Sequence, residues 1–341
     1  MDPKQILENL IEKQDLSLDQ AIWMMNQFMD GNMTSSQMAA ILVALRIKGE
    51  TVTEITACAR VMREKSTKIP ISDNAKLIDT CGTGGDSSGS FNISTTVALL
   101  LAGGGYRIAK HGNRSMTSKS GSADLLEALG VNLNLNAEQV AECIEKANIG
   151  FLFAPALHSA MKNVVPTRKE LGIRTVFNIL GPLTNPANAG VQIIGLYSKD
   201  LVSTIIRVLQ KLGSVSAYVF SGLSGLDEVC IKGNTQVAHL NENGDINEFL
   251  FDPELYGFNK APLESIKGGS PSENADITNG ILGGKTTGAK RDIVTLNAGF
   301  AIAAADRCSL EEAFEKANLL VDEGVGIKAI EKLVKVSNSF K

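Results

Sequence analysis

Lys76-Leu77-Ile78-Asp79-Thr80-Cys81-Gly82-Thr83-Gly84-Gly85-Asp86 is the stretch whose reading decides the fold. Lys76 to Thr80 reads as a short strand, and it empties into a turn with three glycines in four residues beside a carboxylate. Asn92 or Ser94 stands where a helix running through Leu101 needs its N-cap, and Gly103-Gly104-Gly105 ends that helix. Tyr106 to Ala109 is the next strand, and Ser122 starts a helix through Leu129. Strands over Ile149–Phe153, Val191–Tyr197 and Ala217–Phe220 continue the alternation, with a helix over Leu201–Leu212 between the last two. Strand–helix alternation of this kind predicts a mainly parallel sheet covered by helices.

Upstream the pattern is helical only, with spans over Ile6–Lys13, Gln20–Met29, Gln37–Ile47 and Thr53–Met62, and no strand signal precedes Leu77. The fold class is therefore α/β: a small all-helical N-terminal domain, residues 1–72, and a larger α/β domain, residues 73–341, with a mainly parallel central sheet flanked by helices. A helical insertion at about 163–188, with a helix over Arg174–Ile179, is expected to pack back onto the first domain. Ala238–Ser272 reads as irregular with short antiparallel strands, and two helices, around Asp292–Asp306 and Leu310–Ser337, close the chain.

Composition narrows the function classes. The 341 residues carry a net charge of -4, which disfavours a general nucleic-acid binder and leaves anion binding to local groups. The five cysteines are widely spaced and form no CxxC, so neither a disulfide framework nor a zinc site is indicated and a reducing cytoplasm fits. The first residues show no signal-peptide pattern, and no apolar run approaches the roughly 20 residues of a membrane helix. The chain opens directly on the helical region, so no fused partner subunit is expected ahead of it.

The chemistry is concentrated after strands. Gly82, Gly85 and Asp86 follow one, at the carboxyl end where open α/β sheets bind ligands. Glycines there let backbone N–H groups reach phosphate oxygens, and the following helix adds its dipole. Ser87 stands where a dinucleotide fingerprint needs its third glycine, and Gly280 to Thr286 lacks the spacing of a Walker loop and reads as a helix end and turn. Asn92, Ser94 and Thr95 can cap a helix and bind phosphate at once. Lys110 offers a point charge, Asn113 a polar edge, and the hydroxyl-rich loop from Ser115 to Ser122 a diphosphate cradle. His111 is a candidate acid or base, although a lone histidine in such a loop is at least as often a packing or hydrogen-bonding group. The adjacent carboxylates Asp227 and Glu228, again after a strand, need a cation to share one small site, and hard oxygen donors beside phosphates suit Mg²⁺. Arg168 in the insertion carries a fork that fits a carboxylate.

Taken in order, GTGGD at 82–86, NIST at 92–95, KHGNR at 110–114, SGSAD at 120–124, RKELGIRTVFNILGPLTNP from Arg168 to Pro186, LDE at 226–228, ENA at 273–275 and LNAG at 296–299 resemble the motifs of the anthranilate phosphoribosyltransferase family. The resemblance runs from about residue 3 to the end. It implies transfer of the phosphoribosyl group of 5-phosphoribosyl 1-diphosphate to the amine of anthranilate. By position, it implies that Gly82, Gly85, Asp86, Ser90, Asn92, Ile93, Ser94, Thr95, Lys110, His111, Gly112, Asn113, Arg114, Ser115, Met116, Thr117, Ser118 and Ser122 hold phosphoribosyl diphosphate. It assigns Ser94, Asp227 and Glu228 to Mg²⁺ and Gly82, Asn113 and Arg168 to anthranilate, with no residue assigned as general base. It further implies a homodimer formed through the N-terminal helices, with no nucleic-acid or membrane partner. Two other readings are a pyrimidine nucleoside phosphorylase-like enzyme and a non-catalytic, nucleic-acid-binding paralogue. Asn113, Arg114, Asp227 and Glu228 oppose the first, and the net charge and the carboxylate pair oppose the second.

Overall fold

A computed structural model describes residues 1–115 and 119–340. Four helices come first: α1 (Pro3–Ile11), α2 (Leu18–Asp30), α3 (Ser35–Lys48) and α4 (Val52–Glu64). Capping boxes at Ser17/Gln20, Thr34/Gln37 and Thr51/Glu54 start three of them, each hydroxyl accepting the N–H of a residue whose side chain accepts in return. The alternating region follows as β1 (Ile78–Gly82), α5 (Ile93–Gly103), β2 (Ile108–Gly112), α6 (Ser122–Ala128), α7 (Ala137–Ala147) and β3 (Ile149–Phe153). The insertion carries α8 (Ala154–Leu157), α9 (Val165–Leu171) and α10 (Phe177–Leu180). Then come β4 (Val191–Gly195), α11 (Val202–Lys211), β5 (Ser216–Gly222), β6 (Thr235–Leu240), β7 (Ile246–Phe251), α12 (Pro271–Leu282), α13 (Ala289–Asp306), α14 (Leu310–Asp322) and α15 (Val325–Ser337).

The strands form one sheet in the order β3-β2-β1-β4-β5-β6-β7. The first five run parallel, and β6 and β7 add an antiparallel edge. This matches the expected mainly parallel sheet and the short antiparallel strands of the irregular region, the first of which starts before it, at Thr235. Strand alternation divides the core into two. Ile193, Tyr218 and Phe220 face a core built with α5, α13 and α15, while Ile194, Ala217 and Val219 face α11 and the N-terminal helices. Val164, Val176, Phe177 and Ile179 of the insertion lie in that second core, so the insertion does pack back onto the N-terminal helices. Among the described residues no single helix is long and apolar enough to cross a membrane.

Three local expectations change. The second strand begins at Ile108, so Lys110 and His111 lie within it, not in a loop after it. The helix expected over Arg174–Ile179 is confined to α10, and Arg174 sits in an irregular segment before it. The long last helix breaks in two at Gly324, whose φ of 64° is left-handed.

Candidate active site

From β1 the chain moves outward through β2 and β3 before β4 docks on the other side of β1. The connections leaving the β1–β4 joint therefore diverge, and this switch point is where α/β sheets open a crevice. A cleft of about 810 Å³ lies there, a volume typical of small-molecule sites. It is lined by Gly82 to Ser94, by Lys110 to Ser115, by Lys119 to Ser122, by Asp227 and Glu228, and by Ala154, Asn178, Gly181 and Pro182 of the insertion. Lys267, Gly268, Gly269 and Asn274 complete the wall. Two of the residues singled out in the sequence do not border it. Thr95 is buried behind it, with a hydroxyl that has no hydrogen-bond partner among the described residues. The guanidinium of Arg168 lies 5.2 Å from the Phe177 ring. Met116, Thr117 and Ser118 lie outside the described residues.

Several side chains are already engaged. Asn92 does not cap α5: its side chain takes hydrogen bonds from Asn274 (2.8 Å) and Ser120 (3.1 Å) and donates to the Ser120 carbonyl (3.1 Å). It thereby ties the helix start to the hydroxyl-rich loop. Arg114 turns its guanidinium away to Asp124 and Glu127 of α6. Asp124 also accepts from the N–H groups of Ser115 (3.1 Å) and Gly121 (2.8 Å), which shapes the loop in front of Ser122.

Beneath the cleft the sheet is held by side chains. β1 meets β4 in register at five positions but meets β2 only at Ile78 opposite Ile108. Past that pair, the buried Lys110 ammonium donates to the Thr80 carbonyl, and Asp79 accepts the His111 N–H (3.1 Å). Asn185 donates to Asp79 and to the Ala109 carbonyl, both at 2.8 Å. Burial pushes the Asp79 carboxyl up to about 6 against the pull of Lys110 and these hydrogen bonds. Neither Asp79 nor Asn185 was marked by the sequence.

His111 and His158 lie side by side, ring centroids 5.2 Å apart. His111 Nε2 and both nitrogens of His158 have no hydrogen-bond partner among the described residues. Burial, with His158 and Lys110 nearby, depresses His111 to about 3; burial, with Lys68 nearby, depresses His158 to about 4. Both rings are thus neutral in the fold, whereas the unfolded chain protonates them near 6.5. The folded state binds fewer protons, so this stability is complete above about pH 6.5 and is lost as pH falls toward 4, by about 1.4 kcal/mol per pH unit for each ring. Because the raised carboxyls of Asp79, Asp227 and Glu228 act with the opposite sign in this window, the test is a difference: as pH falls from 8 to 5, the denaturant midpoint of the wild type should drop relative to that of His158→Phe once below 6.5. Equal slopes would rule the pair out as the cause.

The carboxylates sit over the β1–β4 joint. Gly82 ends β1, and Gly195, opposite it in register, ends β4. A Cβ on Gly82 would stand 2.5 Å from Asp227 Oδ2, and one on Gly195 only 1.6 Å from the Asp227 carbonyl oxygen. Both glycines therefore exist as a notch for the turn that carries Asp227. Once seated, Asp227 accepts the Gly84 N–H (2.7 Å) and Glu228 accepts the Ser94 N–H (3.2 Å). Desolvation, followed by the charge of Asp86, pushes Asp227 up to about 7; desolvation and Asp227 push Glu228 well above the carboxylate range. Asp86 Oδ2 is buried and has no hydrogen-bond partner among the described residues. A phosphate-shaped turn thus faces a concentration of carboxylate oxygen that the nearby Lys110 offsets only in part, since Glu228 stays well above its ordinary range. The sequence signal that could have revealed Gly195 was a second glycine at the end of a strand, but its use depends on knowing that the two strands are neighbours.

The comparisons with known proteins bear on the whole chain. The model of the glycosyl transferase family, a/b domain, matches residues 74–327, and that of the family's helical bundle domain matches residues 4–66. The anthranilate phosphoribosyltransferase of Persephonella marina is 47% identical over 331 residues, covering 97% of both chains. That of Symbiobacterium thermophilum is 48% identical over 331 residues, covering 97% of this chain and 96% of the relative. The crystal structure of the Thermus thermophilus anthranilate phosphoribosyltransferase superposes with a TM-score of 0.91 at 39% identity, covering 98% of this chain and 99% of the other. The Saccharomyces cerevisiae enzyme in complex with PRPP and Mg gives a TM-score of 0.85 at 28% identity, covering 95% of this chain and 93% of the other. With agreement over both the helical bundle and the α/β part, at this identity and coverage, the chain belongs to the anthranilate phosphoribosyltransferase family.

Proposed function

We propose that this protein transfers the phosphoribosyl group of 5-phosphoribosyl 1-diphosphate to the amine of anthranilate, forming N-(5-phosphoribosyl)anthranilate and diphosphate for tryptophan biosynthesis. The observation that carries this reading is the notched switch point, where a glycine turn for phosphate faces a desolvated carboxylate pair and the helical insertion forms the opposite wall. The nitrogen lone pair forms the bond to C1 as the C1–oxygen bond to diphosphate breaks, and the nitrogen then sheds one proton. His111, depressed to about 3, is a poor acceptor for that proton, which fits release to water. The site's work is to hold the two reactants in line and to stabilise charge on the leaving group, both large sources of rate.

The diphosphate half is assigned to Gly82, Gly85, Asp86, Ser90, Asn92, Ile93, Ser94, Lys110 to Ser115 and Ser122, which line the cleft, with Thr95 behind them; Met116, Thr117 and Ser118 join the assignment by the family resemblance alone. Mg²⁺ fits here because the desolvated carboxyls of Asp227 and Glu228 and the orphaned Asp86 oxygen offer hard donors in need of positive charge. Asp227 and Glu228, with Ser94, would hold it. Bound there, Mg²⁺ neutralises charge on the departing diphosphate.

The acceptor half is assigned to Gly82, Asn113 and Arg168. Arg168 supports this as a half-buried guanidinium that no carboxylate among the described residues partners. The anthranilate carboxylate would supply that partner and orient the amine. A cytoplasmic homodimer completes the reading. All five cysteines are free, as in reducing compartments, and Ile11 and Ile47 leave 66% and 74% of their surface exposed on the N-terminal helices.

A steady-state assay with Mg²⁺ and both substrates tests the function, and no product above background would refute it. Arg168→Ala should raise the KM for anthranilate at least about tenfold, the worth of one charge-assisted pair. An equal rise for phosphoribosyl diphosphate would remove Arg168 from the acceptor half.

A further inference from the structure

We infer that Arg174 is a positioning residue for the diphosphate half of the site and holds the glycine turn from the acceptor side of the cleft. This rests on the reaction proposed above. Arg174 lies in the irregular segment between α9 and α10, in the same insertion that supplies Asn178 and Gly181 to the opposite wall. Its guanidinium lies 3.9 Å from the centroid of the Tyr197 ring, just past the end of β4, and its Nη2 donates to the Gly85 carbonyl at 2.5 Å. Arg46 of α3 donates to the Arg174 carbonyl at 2.7 Å, so the helical domain holds this residue in turn.

The geometry at Gly85 gives the contact its meaning. Gly84 and Gly85 have φ of 67° and 73°, so the turn owes its shape to glycine freedom and has no side chains of its own there to lock it. Besides the Thr83 N–H, which donates to the Gly195 carbonyl (2.9 Å), three contacts hold it. The Tyr197 N–H donates to Thr83 Oγ1 (3.2 Å), Asp227 accepts the Gly84 N–H (2.7 Å), and Arg174 takes the Gly85 oxygen. The Gly85 carbonyl and the Asp86 N–H belong to one trans peptide plane, so they point in opposite directions. With the oxygen fixed on Arg174, the Asp86 N–H is aimed away from it, as a preset donor for a phosphate oxygen. Removing Arg174 frees that peptide plane to rotate, and substrate must then bear the cost of ordering it. Lysine cannot replace it, because a stacked planar fork and a sideways hydrogen bond require guanidinium.

The test uses the full-length protein with Arg174→Ala and Arg174→Lys, both substitutions of an exposed side chain that leave the fold intact by thermal melting. Two readouts apply: the KM for each substrate, and calorimetric binding of inorganic diphosphate in the presence of Mg²⁺. Both variants should raise the KM for phosphoribosyl diphosphate about tenfold, the equivalent of one charge-assisted hydrogen bond. Diphosphate affinity should weaken by the same factor, with the KM for anthranilate within twofold of wild type. Tyr197→Phe, which keeps the ring, should match wild type. Unchanged diphosphate affinity, or equal shifts in both KM values, overturns the assignment. Absence of turnover by the wild-type protein would instead refute the proposed reaction, while diphosphate calorimetry would still decide the role of Arg174.

Discussion

Gly195→Ala is expected to lower kcat/KM by at least about a hundredfold although residue 195 donates no side chain to the reaction. Its Cβ would stand 1.6 Å from the Asp227 carbonyl oxygen and 2.5 Å from the carbonyl carbon. The obstacle is backbone, which cannot swing aside as a side chain can, so the turn over the β1–β4 joint must lift. A displacement of about 1 Å in a positioned group costs about a hundredfold in rate. The overpacking itself should cost about 1–3 kcal/mol of stability. Steady-state kinetics and a denaturant midpoint measure the two effects. Gly233→Ala is the control, since a Cβ there meets nothing within 4 Å. If Gly195→Ala keeps wild-type kinetics, the notch has no functional role.

Asp227→Asn combined with Glu228→Gln should separate activity from stability with opposite signs. In the metal-free protein desolvation and then the charge of Asp86 raise Asp227 to about 7, and desolvation and then Asp227 raise Glu228 well above its ordinary range. Neutral amides of the same shape remove the repulsion between these charges, so the metal-free double variant should melt above wild type. Its kcat/KM should fall by about a thousandfold, because charge on the leaving diphosphate loses several kcal/mol of stabilisation. Added Mg²⁺ and diphosphate should raise the melting temperature of the wild type and not that of the double variant. A shift of equal size in both proteins would take the pair out of the metal site.

Much of this was legible in the sequence because it is local. The capping boxes of α2 to α4, the glycine turn after β1 and the carboxylate pair after β5 each declare themselves within a few residues. What was misread depends on partners far away in the chain. β2 starts at Ile108 because that residue pairs with Ile149 of β3, so the partner sets the boundary and β propensity at Tyr106 and Arg107 does not. Asn92 follows the sequence rule for a cap, yet its amide is claimed by Ser120 and Asn274. Arg174 has good helix propensity but is held outside a helix by Arg46 and Gly85. Asp79, Asn185 and Gly195 acquire roles only once the strand order is known, since each acts across a joint between strands that are distant in sequence.

The notch also governs when the site can come into being. β1 leaves the ribosome long before β4, and the turn bearing Asp227 follows β5, later still. That turn rests on glycines from both sides of the β1–β4 joint. A nascent or truncated chain that ends before β5 has the glycine turn without its carboxylates, and a full chain with β4 undocked has the carboxylates without a seat. The site therefore takes its final form only once β4 has docked beside β1 and the turn after β5 has settled on both glycines.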